Sequence, residues 1–211
     1  WSSDVCSSDL MDSHPECGIC GPKLHGLICR DGAYVRTERF EYAGAAGGLL
    51  DRYGFPYCRG RIRKKVEEDR GQYDNCDPDV LWVTGACLMI RSSLWKRLDG
   101  LDDRFFAHME EIDLCWRAQL AGWRVQVVPG SLVWHLGGGT LPEQSPFKLK
   151  LNFRNNLLML CKNLEPTYIT QGFESGKAAR KARRLIRFRL LLDNFAAAAF
   201  LCCGKSADRK S

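Results

Sequence analysis

Three carboxylates lie close together at the predicted start of a helix. Glu110, Glu111 and Asp113 fall within four residues, and Glu110 and Asp113 share one face because helical residues three apart are neighbours. Acids at a helix start commonly do no more than interact with the helix dipole. Here Phe105 and Phe106 lie shortly before the acids, and apolar neighbours that desolvate a carboxylate raise its pKa toward the range of a general base. The cluster is therefore a candidate for proton transfer.

A histidine beside a glycine run is the second candidate. Trp134 and His135 follow an apolar stretch and precede three glycines at 137–139, where backbone can approach a ligand closely. A lone histidine in such a place is more often a hydrogen-bonded structural residue. Its imidazole could also complete a divalent metal site with oxygen ligands.

The third candidate is a strand end with small residues. The segment Trp82-Val-Thr-Gly-Ala86 would place the amides of Thr84, Gly85 and Ala86 at a sheet edge, where α/β folds bind ligands. The alternative is a tight turn between two strands without a binding role.

The surrounding pattern predicts the elements that position these residues. An amphipathic stripe predicts a helix over 108–121 that ends at Gly122. A buried strand is predicted at Val80–Val83 and another at Trp123–Val128, broken at Pro129-Gly130. Other predicted elements are a strand ending near Pro22, a turn at Asp31-Gly32, loops over 43–60 and 59–70, a helix capped by Ser92 or Ser93, and a helix over 149–164.

Composition and charge limit the class of protein. The 211 residues are 45% hydrophobic and 27% charged, which fits a globular protein and excludes a collagen, a disordered tail and a multi-pass membrane protein. The net charge of +6 is concentrated in residues 177–211, which hold ten basic residues and two acids. Residues 177–203 are predicted to form a basic amphipathic helix on an anionic membrane, with packing against the domain as the alternative. The basic run carries no nucleic-acid-binding motif.

Two further features concern the cysteines and the amino terminus. The eleven cysteines are odd in number and irregular in spacing, which favours free thiols. Cys17 and Cys20 have CxxC spacing but no second pair to complete a zinc site. Residues 1–10 resemble a translated sequencing adapter and are predicted to be foreign to the fold.

The segments in this order resemble the rhamnosyltransferase-like branch of the family 2 glycosyltransferases, which have a GT-A fold. The resemblance extends from about residue 15 to residue 164, with agreement in the spacing of all blocks. Those blocks are Trp82-Val-Thr-Gly-Ala86, Phe105-Phe-Ala-His-Met-Glu-Glu-Ile-Asp-Leu-Cys-Trp-Arg117, Gly122-Trp-Arg-Val125 with Pro129, Val133-Trp-His-Leu-Gly-Gly-Gly139, Gly21-Pro-Lys-Leu24 and Asn152-Phe-Arg-Asn-Asn-Leu157. The implied fold class is α/β, an incomplete nucleotide-diphospho-sugar transferase domain over 11–165 with a helical appendage over 166–211.

The resemblance implies an inverting transfer of a sugar from a nucleotide-diphosphate donor to the hydroxyl of a saccharide or lipid-linked saccharide. Glu111 occupies the position of the family's aspartate base, and the added methylene leaves the base open between Glu110 and Glu111. Asp113 and Arg117 are implied to support the same motif. His135 matches the position that in some members helps to hold a divalent cation, Mg or Mn, on the donor diphosphate. Thr84, Gly85, Ala86, Arg117 and Trp134 are the predicted substrate-binding residues.

The family's donor-binding strands and Asp-x-Asp motif would precede residue 11. Asp77-Pro-Asp79 matches the Asp-x-Asp pattern, but it lies just before the predicted strand at Val80 and not upstream of Gly21-Pro-Lys-Leu24. The chain is therefore expected to be a fragment with little activity alone, from a cytoplasmic enzyme bound to the inner face of the plasma membrane and acting in cell-surface polysaccharide or glycolipid assembly. The alternative is a non-catalytic α/β interaction module.

Overall fold

The computed structural model describes residues 7–51, 54–62, 65–137 and 145–164. The chain divides into two compact units, residues 1–141 and 142–211. The first six residues and the predicted tail over 166–211 lie outside the described residues. The helices are α1 (Ser7–Ser13), α2 (Ser92–Arg97), α3 (Glu110–Leu120) and α4 (Pro146–Asn163), and the strands are β1 (Cys17–Arg30), β2 (Ala33–Phe40), β3 (Gly48–Leu50), β4 (Pro56–Cys58), β5 (Arg61–Ile62), β6 (Lys65–Val66), β7 (Met89–Ile90) and β8 (Arg124–His135).

The first unit is built on a mixed four-stranded sheet around β1. Strand β8 runs parallel to β1, while β7 and β2 pair with β1 antiparallel, near its start and near its end. The first nine residues of β1 are buried, and so is the segment 125–128 of β8. Continuous burial is typical of parallel strands that are covered on both faces. The mixed sheet with its helices is the predicted α/β class, and it fits a GT-A-like domain.

Two prolines that were predicted to end strands lie inside them. Strand β1 continues through Pro22, and β8 continues through Pro129 to His135. The β1–β8 register shifts between Pro22 and Lys23, so the missing N–H of the proline coincides with an irregularity in the ladder. Because β8 continues past Pro129, it carries Trp134 and His135 at its far end.

The turn predicted at Asp31-Gly32 is confirmed. Both residues have positive φ, 51° and 78°, as a two-residue hairpin turn of type I′ requires. The turn joins β1 to β2, and the paired strands extend out of the buried part of the sheet. Strand β2 is exposed except at Thr37, which is half-buried, and at Phe40, which is buried.

The segment predicted as a strand at Val80–Val83 is buried but is not a strand. It makes only isolated bridges, from Trp82 to Gly48 and from Asp79 to Gln126. The predicted loop over 43–60 in turn contains the short strands β3 and β4. The continuous apolar run correctly predicted that this segment is buried. It wrongly predicted a strand, because an apolar run does not indicate whether a neighbouring strand is there to pair with.

Gly48 leaves no room for a side chain beside Trp82. A Cβ at this position would lie 1.8 Å from the nearest atom of the indole. We expect Gly48→Ala to lower the free energy of unfolding by about 1–3 kcal/mol, the usual cost of overpacking. Urea unfolding of the variant tests this, with Gly26→Ala as the control, because Gly26 is also a strand glycine without positive φ and a Cβ there would approach no atom closer than Oγ1 of Thr37 at 3.2 Å. Equal losses in the two variants would contradict the packing argument.

Two helices differ in detail from their predictions. The cap of α2 is Arg91, which makes no side-chain cap bond, and neither Ser92 nor Ser93 serves. Helix α3 starts at Glu110, and its buried residues are Ile112, Asp113, Leu114, Cys115 and Ala118. Leu120, which continues the helical spacing of Ile112 and Trp116, is 63% exposed and does not belong to the buried face. The buried face instead includes Asp113, whose charge is compensated by an ion pair with Arg117.

The second unit contains α4, which confirms the helix predicted over 149–164. It begins with Pro146, a favoured first helical residue because its missing N–H would have no partner there. Among the described residues, no helix has the length and apolar character needed to cross a bilayer. The described cysteines are all free thiols.

Candidate active site

The backbone that leads into α3 has a conformation rare outside glycine. Phe106, His108 and Met109 all have positive φ, between 64° and 74°. The N–H of Ala107 donates to the carbonyl of Phe105 across Phe106, which makes this a strained γ-turn. Such strain costs about 1–3 kcal/mol per residue and concentrates at active sites. Phe105 is completely buried, so it holds this turn against the core.

Glu111 lies directly after this strained segment and against Gly85. A Cβ on Gly85 would lie 3.4 Å from Cβ of Glu111. Burial, and then the neighbouring charge of Glu110, raise the pKa of Glu111 to about 7, although backbone amides that include Gly85 act in the opposite direction. A carboxyl group with this pKa is poised to accept a proton near neutral pH.

The two adjacent glutamates are both partly buried. Oε2 of Glu110 and Oε2 of Glu111 are buried, and neither has a hydrogen-bond partner in the part of the chain that the structure describes. A buried acceptor without a partner is costly, and a bound hydroxyl group would relieve that cost. Glu111 combines this feature with a pKa raised to about 7, which favours it as the base.

Asp113 and Arg117 face the protein interior. Asp113 is fully buried, and Nε of Arg117 donates to its Oδ2 over 2.7 Å. The same guanidinium donates to the carbonyls of Leu98 and Gly100. The pair therefore joins α3 to the turn after α2, which agrees with a supporting role. Direct contact of Arg117 with substrate stays a prediction.

The predicted strand end at Thr84 meets the glycine-rich loop. A Cβ on Gly44 would lie 2.6 Å from Cβ of Thr84, so the side chain of Thr84 packs against the backbone of Gly44. The N–H of Ala86 donates to Oγ1 of Thr84 and closes the turn. The structure thus places Gly85 beside Glu111, and the role of Thr84, Gly85 and Ala86 in binding substrate stays a prediction.

A buried carboxylate that no motif had indicated lies beside His135. Glu41 is 6% exposed, and its Oε1 is 3.7 Å from Nδ1 of His135. Its Oε2 accepts the N–H of Ala43. A Cβ on Gly137 would lie 2.6 Å from Oε1 of Glu41, so this glycine is required for the approach. Glu41 follows the end of β2, and only the fold brings it to β8.

The thiol of Cys58 is influenced by both candidate carboxylates, Glu41 and Glu111. Burial raises the pKa of this thiol, and the charges of Glu41 and Glu111 act on it in the same direction, while Arg61 opposes them. Both carboxylates are therefore within electrostatic range of one thiol. The guanidinium of Arg61 lies 4.1 Å from the centre of the ring of Tyr42.

A mostly buried ionic network involves β1, whose neighbours β2 and β8 lead to Glu41 and His135. Lys23 on β1 contacts Asp69 at 2.8 Å and Asp74 at 2.7 Å. Asp69 also contacts Nε2 of His25 at 2.9 Å. The predicted solvated loop over 59–70 was wrong at Asp69, whose side chain is 7% exposed. Alternating lysine and histidine in an otherwise apolar strand was the only sequence signal.

The potential for metal binding is limited to one imidazole. Among the described ranges, no group of three or more His, Cys, Asp or Glu side chains could hold a metal ion. Nδ1 of His135 is buried, while the side chain as a whole is 38% exposed, so the exposed edge is the one that carries Nε2. A cation there would take its other ligands from a diphosphate, as oxygen-preferring metals do.

Known proteins match this chain across the candidate site. Residues 61–157 match the family described as "Glycosyltransferase like family 2". The N-acetylglucosaminyl-diphospho-decaprenol L-rhamnosyltransferase of Mycobacterium tuberculosis (strain H37Rv) is 41% identical over 127 residues, which is 60% of this chain and 40% of that protein. The rhamnosyltransferase WbbL of Escherichia coli (strain K12) is 42% identical over 53 residues, which is 25% of this chain and 20% of that protein. The chain therefore spans 40% of the length of its mycobacterial relative.

Proposed function

The chain belongs, through residues 61–157, to the family 2 glycosyltransferases, and we propose that it carries the acceptor side and the general base of an inverting sugar transfer. The observation that carries this proposal is Glu111, a partly buried carboxyl group with a pKa of about 7. It lies against Gly85 of the Thr84-Gly85 turn and follows the strained backbone of residues 106–109 in the sequence.

In the proposed reaction Glu111 takes the proton from an acceptor hydroxyl. The hydroxyl oxygen then forms a bond to the anomeric carbon of the donor sugar as the bond from that carbon to the nucleotide diphosphate breaks, so configuration inverts. The electron pair leaves with the diphosphate, and the proton stays on Glu111 until product release. Exclusion of water at a half-buried base keeps its pKa high enough for this transfer.

We propose a lipid-linked saccharide as the acceptor and a nucleotide-diphosphate sugar as the donor. The support is the mycobacterial relative, whose name describes transfer of L-rhamnose to N-acetylglucosaminyl-diphospho-decaprenol. An acceptor on a membrane lipid fits a cytoplasmic enzyme at the inner face of the plasma membrane, with the basic residues 177–203 as the contact with anionic lipid. These residues lie outside the described part of the chain.

We propose His135 as the residue of this chain that helps to hold Mg or Mn on the donor diphosphate. The bound cation would offset negative charge on the departing diphosphate. Among the described residues the imidazole is the ligand that the site offers, and Glu41 supports it from the Nδ1 side.

The rate of transfer should depend on the ionisation of Glu111. Its pKa is raised to about 7, and only the deprotonated form accepts a proton. We therefore expect kcat to fall about tenfold for each pH unit well below pH 7, with a plateau above it. Initial rates of the longer enzyme, completed with its donor-binding strands, test this between pH 5 and pH 9. A flat profile across the range would exclude Glu111 as the base.

The test of the function itself compares two proteins. One is the 211-residue chain, and the other is the longer enzyme, completed with the strands that bind the donor in this family. We expect transfer from a nucleotide-diphosphate L-rhamnose to a short-chain N-acetylglucosaminyl diphosphate lipid by the completed enzyme and little by the chain alone. Absence of transfer by the completed enzyme with a panel of nucleotide sugars would favour an interaction module.

A further inference from the structure

Glu41 and His135 come from strands that are distant in sequence and adjacent in space. Both side chains follow directly after residues that pair with His25, since His25 is opposite Phe40 on β2 and opposite Trp134 on β8. The fold therefore delivers the carboxylate and the imidazole to the same point from both sides of β1.

The ring of His25 packs on both of these neighbours. Its centre is 5.6 Å from the ring of Phe40 and 6.1 Å from that of Trp134, edge to face in each case. Asp69 holds His25 in turn through a hydrogen bond of 2.9 Å to Nε2. Edge-to-face contacts fix ring orientation, so a buried platform sets the positions of the residues that precede Glu41 and His135.

The electrostatics around Nδ1 of His135 select one tautomer. This nitrogen is buried and has no hydrogen-bond partner among the described residues, and Oε1 of Glu41 faces it at 3.7 Å. A lone pair on Nδ1 would repel the carboxylate, whereas an N–H there would be attracted to it. The hydrogen bond that one ring nitrogen makes determines which nitrogen is left for a ligand.

We infer that Glu41 is a positioning residue for the proposed transfer: its carboxylate holds His135 as the Nδ1–H tautomer and so leaves the lone pair of Nε2 for the donor-side ligand. The inference rests on the proposed function for its purpose, but the tautomer is a property of the chain itself. Gly137 belongs to the same arrangement, because a side chain there would meet Oε1 of Glu41.

The direct experiment measures the tautomer of His135 without turnover. Long-range ¹H–¹⁵N spectra of the labelled 211-residue chain at pH 8 separate protonated from unprotonated ring nitrogens, and His135→Asn assigns the signal. We expect Nδ1–H in the native chain and a change toward Nε2–H in Glu41→Gln, because the amide can turn its NH₂ group toward Nδ1. The Nε2–H tautomer in the native chain would overturn the inference.

Control variants separate positioning from folding. Glu38→Gln removes an exposed carboxylate near the end of the same strand and should leave the His135 signal unchanged. If Glu41→Gln fails to fold, Gly137→Ala displaces the carboxylate instead and should change the tautomer in the same direction. A native signal in folded Glu41→Gln or in Gly137→Ala would contradict the role of Glu41.

The completed enzyme provides a second readout. Loss of a residue that orients a ligand typically costs about 10–100-fold, so Glu41→Gln should lower kcat by that factor and add nothing in a His135→Asn background. Additive losses would overturn the inference. Failure of the proposed function looks different, because then native enzyme and all variants would lack transfer while the tautomer result still stands.

Discussion

Replacing Glu111 with glutamine should lower kcat for sugar transfer by about 10²–10⁴-fold, the usual contribution of a general base. The amide keeps the shape of the side chain and its place beside Gly85, but it cannot accept the proton of the acceptor hydroxyl. Because binding contacts are preserved, KM for the acceptor should change little. Initial rates of the completed enzyme at saturating donor, over a range of acceptor concentrations, separate the two parameters.

Glu110 provides the matched control for this experiment. It carries the same functional group one residue away, and its charge is the second largest cause of the raised pKa of Glu111, after burial. Glu110→Gln should therefore retain most of the activity and move the acidic limb of the pH profile to lower pH. A loss equal to that of Glu111→Gln, with no displacement of the pH profile, would assign the base to Glu110.

The nearness of Gly85 to Glu111 follows from features that the sequence shows. Glu111 lies at the start of α3 and Gly85 follows a buried segment, and the ends of neighbouring segments in an α/β fold tend to meet at one edge of the sheet. The composition of the helix start also indicated a desolvated carboxylate before any distance was known. The strained turn at Phe106 was not predictable, because positive φ at a bulky residue is imposed by the surrounding structure.

Glu41 and Asp69 could not be linked to the site from the sequence, for a different reason. Glu41 follows an exposed hairpin strand, and Asp69 lies within a run of charges that a local interpretation assigns to solvent. Their burial depends on pairings between distant parts of the chain, such as β1 with β8, and on a register that continues through Pro22 and Pro129. Local pattern carries little information on register when prolines interrupt both strands.

Replacing Asp69 with asparagine should lower the free energy of unfolding by about 3–5 kcal/mol, as expected when one partner of a buried ion pair is removed. Lys23 would keep Asp74, whose side chain is 43% exposed, but would lose the buried carboxylate that is 7% exposed. Burial alone would raise the pKa of Asp69, yet hydrogen bonds from Lys23, Gly71 and His25 outweigh it and the net shift is downward. Urea unfolding at pH 7 measures the loss.

The direction of that pKa shift also predicts how the loss depends on pH. A carboxyl group with a lowered pKa in the folded state stabilises the protein above its ordinary value of 3.8 and loses that contribution as pH falls through the folded value. The difference between native protein and Asp69→Asn should therefore be largest near neutral pH and decrease in acid. Glu68→Gln is the control, because its pair with Arg70 is exposed on both sides and exposed ion pairs contribute little to stability. Equal destabilisation by both variants, or a difference that grows in acid, would show that the Lys23–Asp69–His25 network does not hold the sheet in place beneath Glu41 and His135.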